Sequence, residues 1–201
     1  MLTYLALGDS YTIGEQVAYP DNFPNQLVRE LNHAGLEVAE PVIIATTGWT
    51  TDELQAAIRE KGLQETFSFV SLLIGVNNQY RGRSLDNYKT EFTQLLEQAI
   101  IFAKGQAQHV FVLSIPDWGQ TPFAEGKDRA QIALEIDAYN AAAKAISASY
   151  RCHYTDITDS TRTNAATEGY LVGDQLHPSA KEYAVWAGRL GKAVTEQFTH
   201  K

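Results

Sequence analysis

The chain alternates between short apolar runs and longer amphipathic stretches. The runs are Leu2 to Leu7, Pro41 to Ala45, Phe67 to Ile74, Val110 to Ile115 and roughly His153 to Ile157. Several are continuously apolar, the pattern of strands buried on both faces, as in parallel sheets. Between them, apolar residues recur at the three-four spacing of one helical face. Leu85, Tyr88, Phe92, Leu95, Leu96, Ala99 and Ala103 form one such face. Ile132, Ile136, Tyr139, Ala143 and Ile146 form a second, and Tyr183, Ala187, Leu190, Val194 and Phe198 a third. Thr50-x-x-Glu53 and Ser179-x-x-Glu182 both fit the capping box that opens a helix. Gly35, Gly62 and Gly105 stand where helices should stop.

The β-α order, repeated five times, predicts an α/β fold, a three-layer α/β/α sandwich with right-handed crossovers. A flavodoxin-like, five-stranded parallel sheet of order 2-1-3-4-5 is expected in preference to the Rossmann order. In either order, functional groups belong at the carboxyl ends of the strands. No linker, repeat or low-complexity segment interrupts the pattern, so residues 1–201 read as a single domain.

Composition narrows the field mainly by exclusion. With 16 Lys and Arg against 24 Asp and Glu, the net charge is −8, which disfavours nucleic acid as a partner. A lone cysteine, Cys152, excludes an internal disulfide framework and reads as a small strand residue. The longest uncharged stretch, Thr66 to Tyr80, falls short of the ~20 apolar residues of a membrane span, so stable membrane insertion is not expected. No basic segment followed by an apolar one opens the chain, and a cytoplasmic location is the expectation.

The strand ends carry the candidate chemistry. After the first strand comes Gly8-Asp9-Ser10-Tyr11-Thr12-Ile13-Gly14, where a serine in a tight turn can expose its hydroxyl. Taken alone, this segment is better explained as an ordinary βα turn capped by Asp9 or Ser10. After the second comes Thr46-Thr47-Gly48-Trp49-Thr50, whose glycine can present its N–H to an anion or simply supply a positive φ. After the third comes Gly75-Val76-Asn77-Asn78-Gln79, where a neutral, directional Asn amide is a good oxyanion donor and an Asn that bridges the loop is an equal reading. Near the end comes Asp174-Gln175-Leu176-His177-Pro178. Asp174 can reach back to the His177 Nδ1–H in a compact turn, leaving Nε2 as a base. The other histidines lack this setting: His33 lies near a helix end, His109 and His153 enter strands, and His200 is in the tail. No His pair has zinc-binding spacing, and neither a Gly-x-Ser-x-Gly elbow nor a phosphate-loop fingerprint is present.

Taken together, these segments resemble the GDSL/SGNH hydrolase family, named for Ser, Gly, Asn and His in separate blocks in that order. Here they match Ser10, Gly48, Asn77 and His177, with Asp174 in the Asp-x-x-His position. The resemblance implies a flavodoxin-like sandwich and a serine-dependent ester hydrolase without metal or organic cofactor. It implies Ser10 as nucleophile, His177 as base and Asp174 as its orienter. The Ser10 and Gly48 N–H groups and the Asn77 side chain would form the oxyanion hole. The sequence departs from the pattern at Asn78, where the family commonly has Asp, and at Thr47 and Trp49, where it often has small residues. A structural role is expected of Asn78.

Candidates for the substrate pocket are Trp49, Asn78, Tyr80, Arg81, Trp118 and Tyr170, with Arg83 a second cation able to meet an anionic group. Loop packing is the competing explanation for each. With no lid insertion in the sequence, a short-acyl or otherwise accessible ester is expected as the small-molecule partner. A thioesterase or lysophospholipase of the same mechanism is an alternative. A non-catalytic flavodoxin-like binding domain is another, with a flavin or phosphate ligand as one form of it.

Overall fold

In the computed structural model, which describes residues 1–199, the five apolar runs become five parallel strands. His200 lies outside the described residues. The elements are β1 (Tyr4–Gly8), α1 (Ser10–Ile13), α2 (Phe23–His33), β2 (Val42–Ala45), α3 (Thr51–Lys61), β3 (Phe69–Leu73), α4 (Val76–Tyr80) and α5 (Leu85–Phe102). They continue with β4 (Val110–Leu113), α6 (Arg129–Ser149), β5 (His153–Thr155), α7 (Thr158–Asn164) and α8 (Ala180–Thr199). The strand order is β2-β1-β3-β4-β5, as the sequence pattern predicts.

Burial explains the pattern. Every residue of β1, β3 and β4 is buried, because helices cover both faces of the sheet. The edge strands are less enclosed: Val42 is exposed, and His153 and Tyr154 are half-buried. On one side α2 packs against α8, and on the other α3, α5 and α6 lie in a row. The one polar residue inside the buried strands, Ser71, is paired with the Tyr4 hydroxyl at 2.7 Å.

The two predicted capping boxes part company. At α3 the box forms, with Glu53 Oε2 accepting from the Thr50 N–H at 2.9 Å. At α8 it does not. The Ser179 N–H donates instead to the Tyr170 carbonyl, and Glu182 turns into the core. There its carboxyl accepts from the Ser160 hydroxyl, the Asn164 amide and the Trp186 indole at 2.6–2.8 Å. Three internal donors hold this carboxylate more firmly than one backbone N–H at a helix end can.

Topology sets the functional edge. From β1 the chain moves outward to β2, then returns past β1 to β3, so a crevice opens at the carboxyl ends where direction reverses. The segments after β1, β2 and β3 all end there. They carry Ser10, Gly48 and Asn77.

Candidate active site

Ser10 opens the short helix α1, immediately after Asp9. The Asp9 carboxyl caps that helix, accepting the Tyr11 N–H at 3.0 Å, and so fixes the turn that presents Ser10. Across the crevice, residues 171–178 fold back on themselves. Leu171 bridges Pro178, and the Val172 N–H donates to the His177 carbonyl. Within this turn Asp174 Oδ1 accepts the N–H groups of Leu176 and His177, both at 2.9 Å. Its Oδ2 lies 2.6 Å from His177 Nδ1. The other ring nitrogen, Nε2, lies 2.9 Å from Ser10 Oγ. With Nδ1–H donating to the carboxylate, Nε2 is the acceptor for the serine hydroxyl. The Tyr11 ring, 5.2 Å from the imidazole, packs beside it.

The electrostatics follow from burial and partners. Burial pushes the Asp174 carboxyl up, but bonds from the His177 ring and from two backbone N–H groups outweigh it and hold the group below its ordinary value. Asp9 is wholly buried with no cation beside it. Desolvation raises its carboxyl to about 7, against smaller opposing effects from the Tyr11 N–H, its own N–H and the Asn77 amide.

Asn77 sits in the first turn of α4. Gly75, which begins that helix, has φ 134°, and an added Cβ would lie 2.7 Å from the Tyr88 ring. Only glycine fits there, so the entry to Asn77 is set by backbone geometry and a buried tyrosine. The Asn77 amide donates to the Trp49 carbonyl at 3.0 Å and more weakly to Asp9 Oδ2 at 3.4 Å. Gly48 adopts φ 85°. Among the described residues, the backbone N–H groups of Ser10 and Gly48 have no protein acceptor.

Ser10, Gly48, Asn77 and His177 all line one cavity of about 210 Å³. Two of the six pocket candidates, Tyr80 and Trp118, line it as well. The other four do not. Asn78 is fully buried and exchanges two bonds with Thr51: the Thr51 N–H donates to its oxygen at 3.1 Å, and its amide meets the Thr51 hydroxyl at 2.6 Å. This ties α4 to the start of α3, the structural role expected of it. Arg81 reaches back to the Gly48 carbonyl at 2.6 Å and to Glu53 at 3.2 Å, so it braces the glycine turn. Trp49 contributes its carbonyl to Asn77 while its ring packs on the core. Tyr170 lines a second, smaller cavity of about 20 Å³ and lies under the Lys181 ammonium at 4.1 Å. Arg83 is held by Asp52 at 2.5 Å, with Glu91 at 3.9 Å.

The cavity also has walls that sequence reasoning missed: Tyr11, Val76, Phe123 and Leu176. Three of these stand directly beside a predicted site residue. Phe123 had a weaker signal, a second large aromatic five residues after Trp118 in the loop that follows β4.

By its family the chain is a hydrolase of ester bonds. The chain belongs to the GDSL-like lipase/acylhydrolase family, whose sequence model matches residues 6–185. No curated protein sequence matches it. Among solved structures it is similar to TesA, with 16% identity over 98% of this chain and 99% of that one and a TM-score of 0.76. It is also similar to a lipase/acylhydrolase from Enterococcus faecalis, with 20% identity over 98% and 97% of the two chains and a TM-score of 0.75. A third is Axe2, an acetylxylan esterase from Geobacillus stearothermophilus, with 20% identity over 98% and 93% and a TM-score of 0.71. At these identities the likeness speaks for the fold. Among the described residues, no helix is long and apolar enough to cross a membrane.

Proposed function

We propose that Ser10, His177 and Asp174 are the catalytic triad of a serine-dependent esterase acting on short-acyl or otherwise accessible esters. The observation that carries this reading is the unbroken series of contacts from Ser10 Oγ through His177 to Asp174, at 2.9 and 2.6 Å. The Ser10 and Gly48 N–H groups and the Asn77 amide are the oxyanion donors. All three residues line the cavity that contains His177, and the Ser10 and Gly48 N–H groups have no protein acceptor among the described residues, which supports this assignment.

In the first half-reaction, Ser10 Oγ forms a bond to the acyl carbon as its proton passes to His177 Nε2. The carbonyl π pair moves onto oxygen, and three neutral donors meet the new negative charge. Removing one such donor typically costs about 2.7–4 kcal/mol of transition-state stabilisation. The intermediate collapses, the carbon–alkoxy bond breaks, and the alcohol leaves with the proton from His177. Water then repeats the sequence on the acyl-Ser10 ester, giving acid and restored enzyme. Asp174 stays ionised throughout and keeps the imidazole in the required tautomer.

The test is labelling with a fluorophosphonate, mapped by peptide mass spectrometry, beside hydrolysis of p-nitrophenyl butyrate. Label on Ser10, with both label and hydrolysis abolished in Ser10→Ala, is the expected result. Near-full hydrolysis by Ser10→Ala would refute the assignment.

A further inference from the structure

The cavity beside Ser10 has an organised apolar wall. Trp118 is 6% exposed and forms its floor, while Tyr80 and Phe123 stand at its rim, 54% and 43% exposed. Both rim rings meet the Trp118 indole edge-on, with centroids at 5.1 and 6.1 Å. Large exposed aromatic surface converging on one cavity is surface that a ligand can cover.

The floor is locked. Trp118 Nε1 donates to Gln79 Oε1 at 2.8 Å, and the Gln79 amide donates to Glu135 at 2.7 Å. Gln79 is itself buried. Rotating the indole out of place would leave buried polar groups unpaired. Behind the floor lies the second cavity. It shares Tyr11, Trp118 and Leu176 with the first, so these side chains form a partition.

The cavity is also uncharged. His177 is its one titratable lining group apart from the tyrosines, and the nearby Arg81 and Arg83 are engaged by Gly48, Glu53 and Asp52. A carboxylate or phosphate on the acyl group would lose its hydration here and gain no counter-charge.

We infer that this wall is the acyl subsite, that it selects esters of uncharged, apolar acyl groups, and that Trp118 sets the length of chain accepted. This rests on the hydrolase reading above. The acyl group is the part held covalently while alcohol leaves and water enters, so a fixed apolar seat serves it best. Chain extension raises kcat/KM while each added methylene is buried, by about fourfold per methylene for full burial. It stops doing so where the chain meets Trp118.

The experiment measures kcat/KM for p-nitrophenyl acetate, butyrate, hexanoate, octanoate, decanoate and laurate, together with a hemisuccinate ester. Wild type, Trp118→Ala and Phe123→Ala are compared, with fluorophosphonate labelling of Ser10 run on each. Wild type is expected to show a rise, then a break, and to disfavour the hemisuccinate. Trp118→Ala opens the partition and moves the break toward longer chains. Phe123 is exposed, so its truncation keeps the fold, and it lowers the rates of mid-length esters relative to acetate. A profile without a break, a break that neither variant changes, or a hemisuccinate cleaved as fast as a neutral ester of similar size would each overturn the inference. In all three outcomes Ser10 still labels, whereas failure of the hydrolase reading appears as loss of labelling.

Discussion

Asp9→Asn should make stability less sensitive to pH, and the size of the effect follows from burial. In the unfolded chain this carboxyl has an ordinary value near 3.8, and in the fold it stands at about 7. Between those limits the unfolded state releases a proton that the folded state retains. Raising the pH therefore favours unfolding, progressively from about pH 4 to pH 7 and no further above it. At 1.36 kcal/mol per unit, the full difference is roughly 4 kcal/mol, of which about 2–3 kcal/mol develops between pH 5 and pH 8. Asparagine cannot ionise, so this contribution vanishes in the variant. Its oxygen can still cap the Tyr11 N–H, but its amide then confronts the Asn77 amide, donor against donor, at the present 3.4 Å contact. That loss is about 1 kcal/mol and does not depend on pH. The variant should thus be close to wild type in stability at pH 5 and more stable by roughly 3 kcal/mol at pH 8. Urea unfolding followed by tryptophan fluorescence at both pH values gives the comparison, and the change in the difference isolates Asp9. If the two proteins lose stability in parallel from pH 5 to pH 8, Asp9 is ionised in the fold and the reasoning fails.

Three further outcomes can be measured directly. Asn77→Ala should lower kcat by about 10²–10³ with little change in KM, since an oxyanion donor acts only in the transition state; a rise in KM alone would contradict this. Asp174→Asn should lower kcat by roughly 10³–10⁴ at every pH where the wild type works, because the carboxyl is held below its ordinary range and is already ionised there. Gly75→Ala should destabilise by about 2 kcal/mol or more, through the positive φ and the Tyr88 ring, and should reduce kcat by shifting Asn77; unchanged denaturation and kinetics would refute the close fit.

The fold was legible because its strands are buried on both faces. Continuous apolar runs such as Phe69–Leu73 and Val110–Leu113 have few alternatives in a chain that alternates strand and helix patterns. Short polar elements gave no such signal. The helix Val76–Tyr80 has one turn and is shaped by Gly75 and Tyr88, so Asn77 and Asn78 read as loop residues. The second capping box failed for a related reason. Ser179-x-x-Glu182 has the right spacing, but Ser160, Asn164 and Trp186, from 22 residues before Glu182 to 4 after it, compete for the same carboxylate and hold it. Two of these donors come from another helix and the third lies beyond the motif, so the competition cannot be read from four residues.

The candidate site divides along the same line. Ser10, Gly48, Asn77 and His177 were legible through the resemblance to the family's four ordered blocks; strand order brings the first three to one edge, and Asp174 and His177 are three residues apart in one turn. The pocket was legible only at Tyr80 and Trp118, because a side chain's partner decides whether it faces the cavity. Arg81 had a nearby carbonyl, Gly48, and Asn78 had Thr51, each offering a bond that a cavity could not. Trp118 faces the cavity because Gln79 holds its N–H from behind, and Gln79 does so because Glu135, on a helix more than fifty residues away, engages its amide. Each link is an ordinary hydrogen bond whose members lie far apart in the chain. The residues proposed for the chemistry are thus placed by strand order and by one local turn, whereas those that shape the pocket are fixed by which polar groups are paired first.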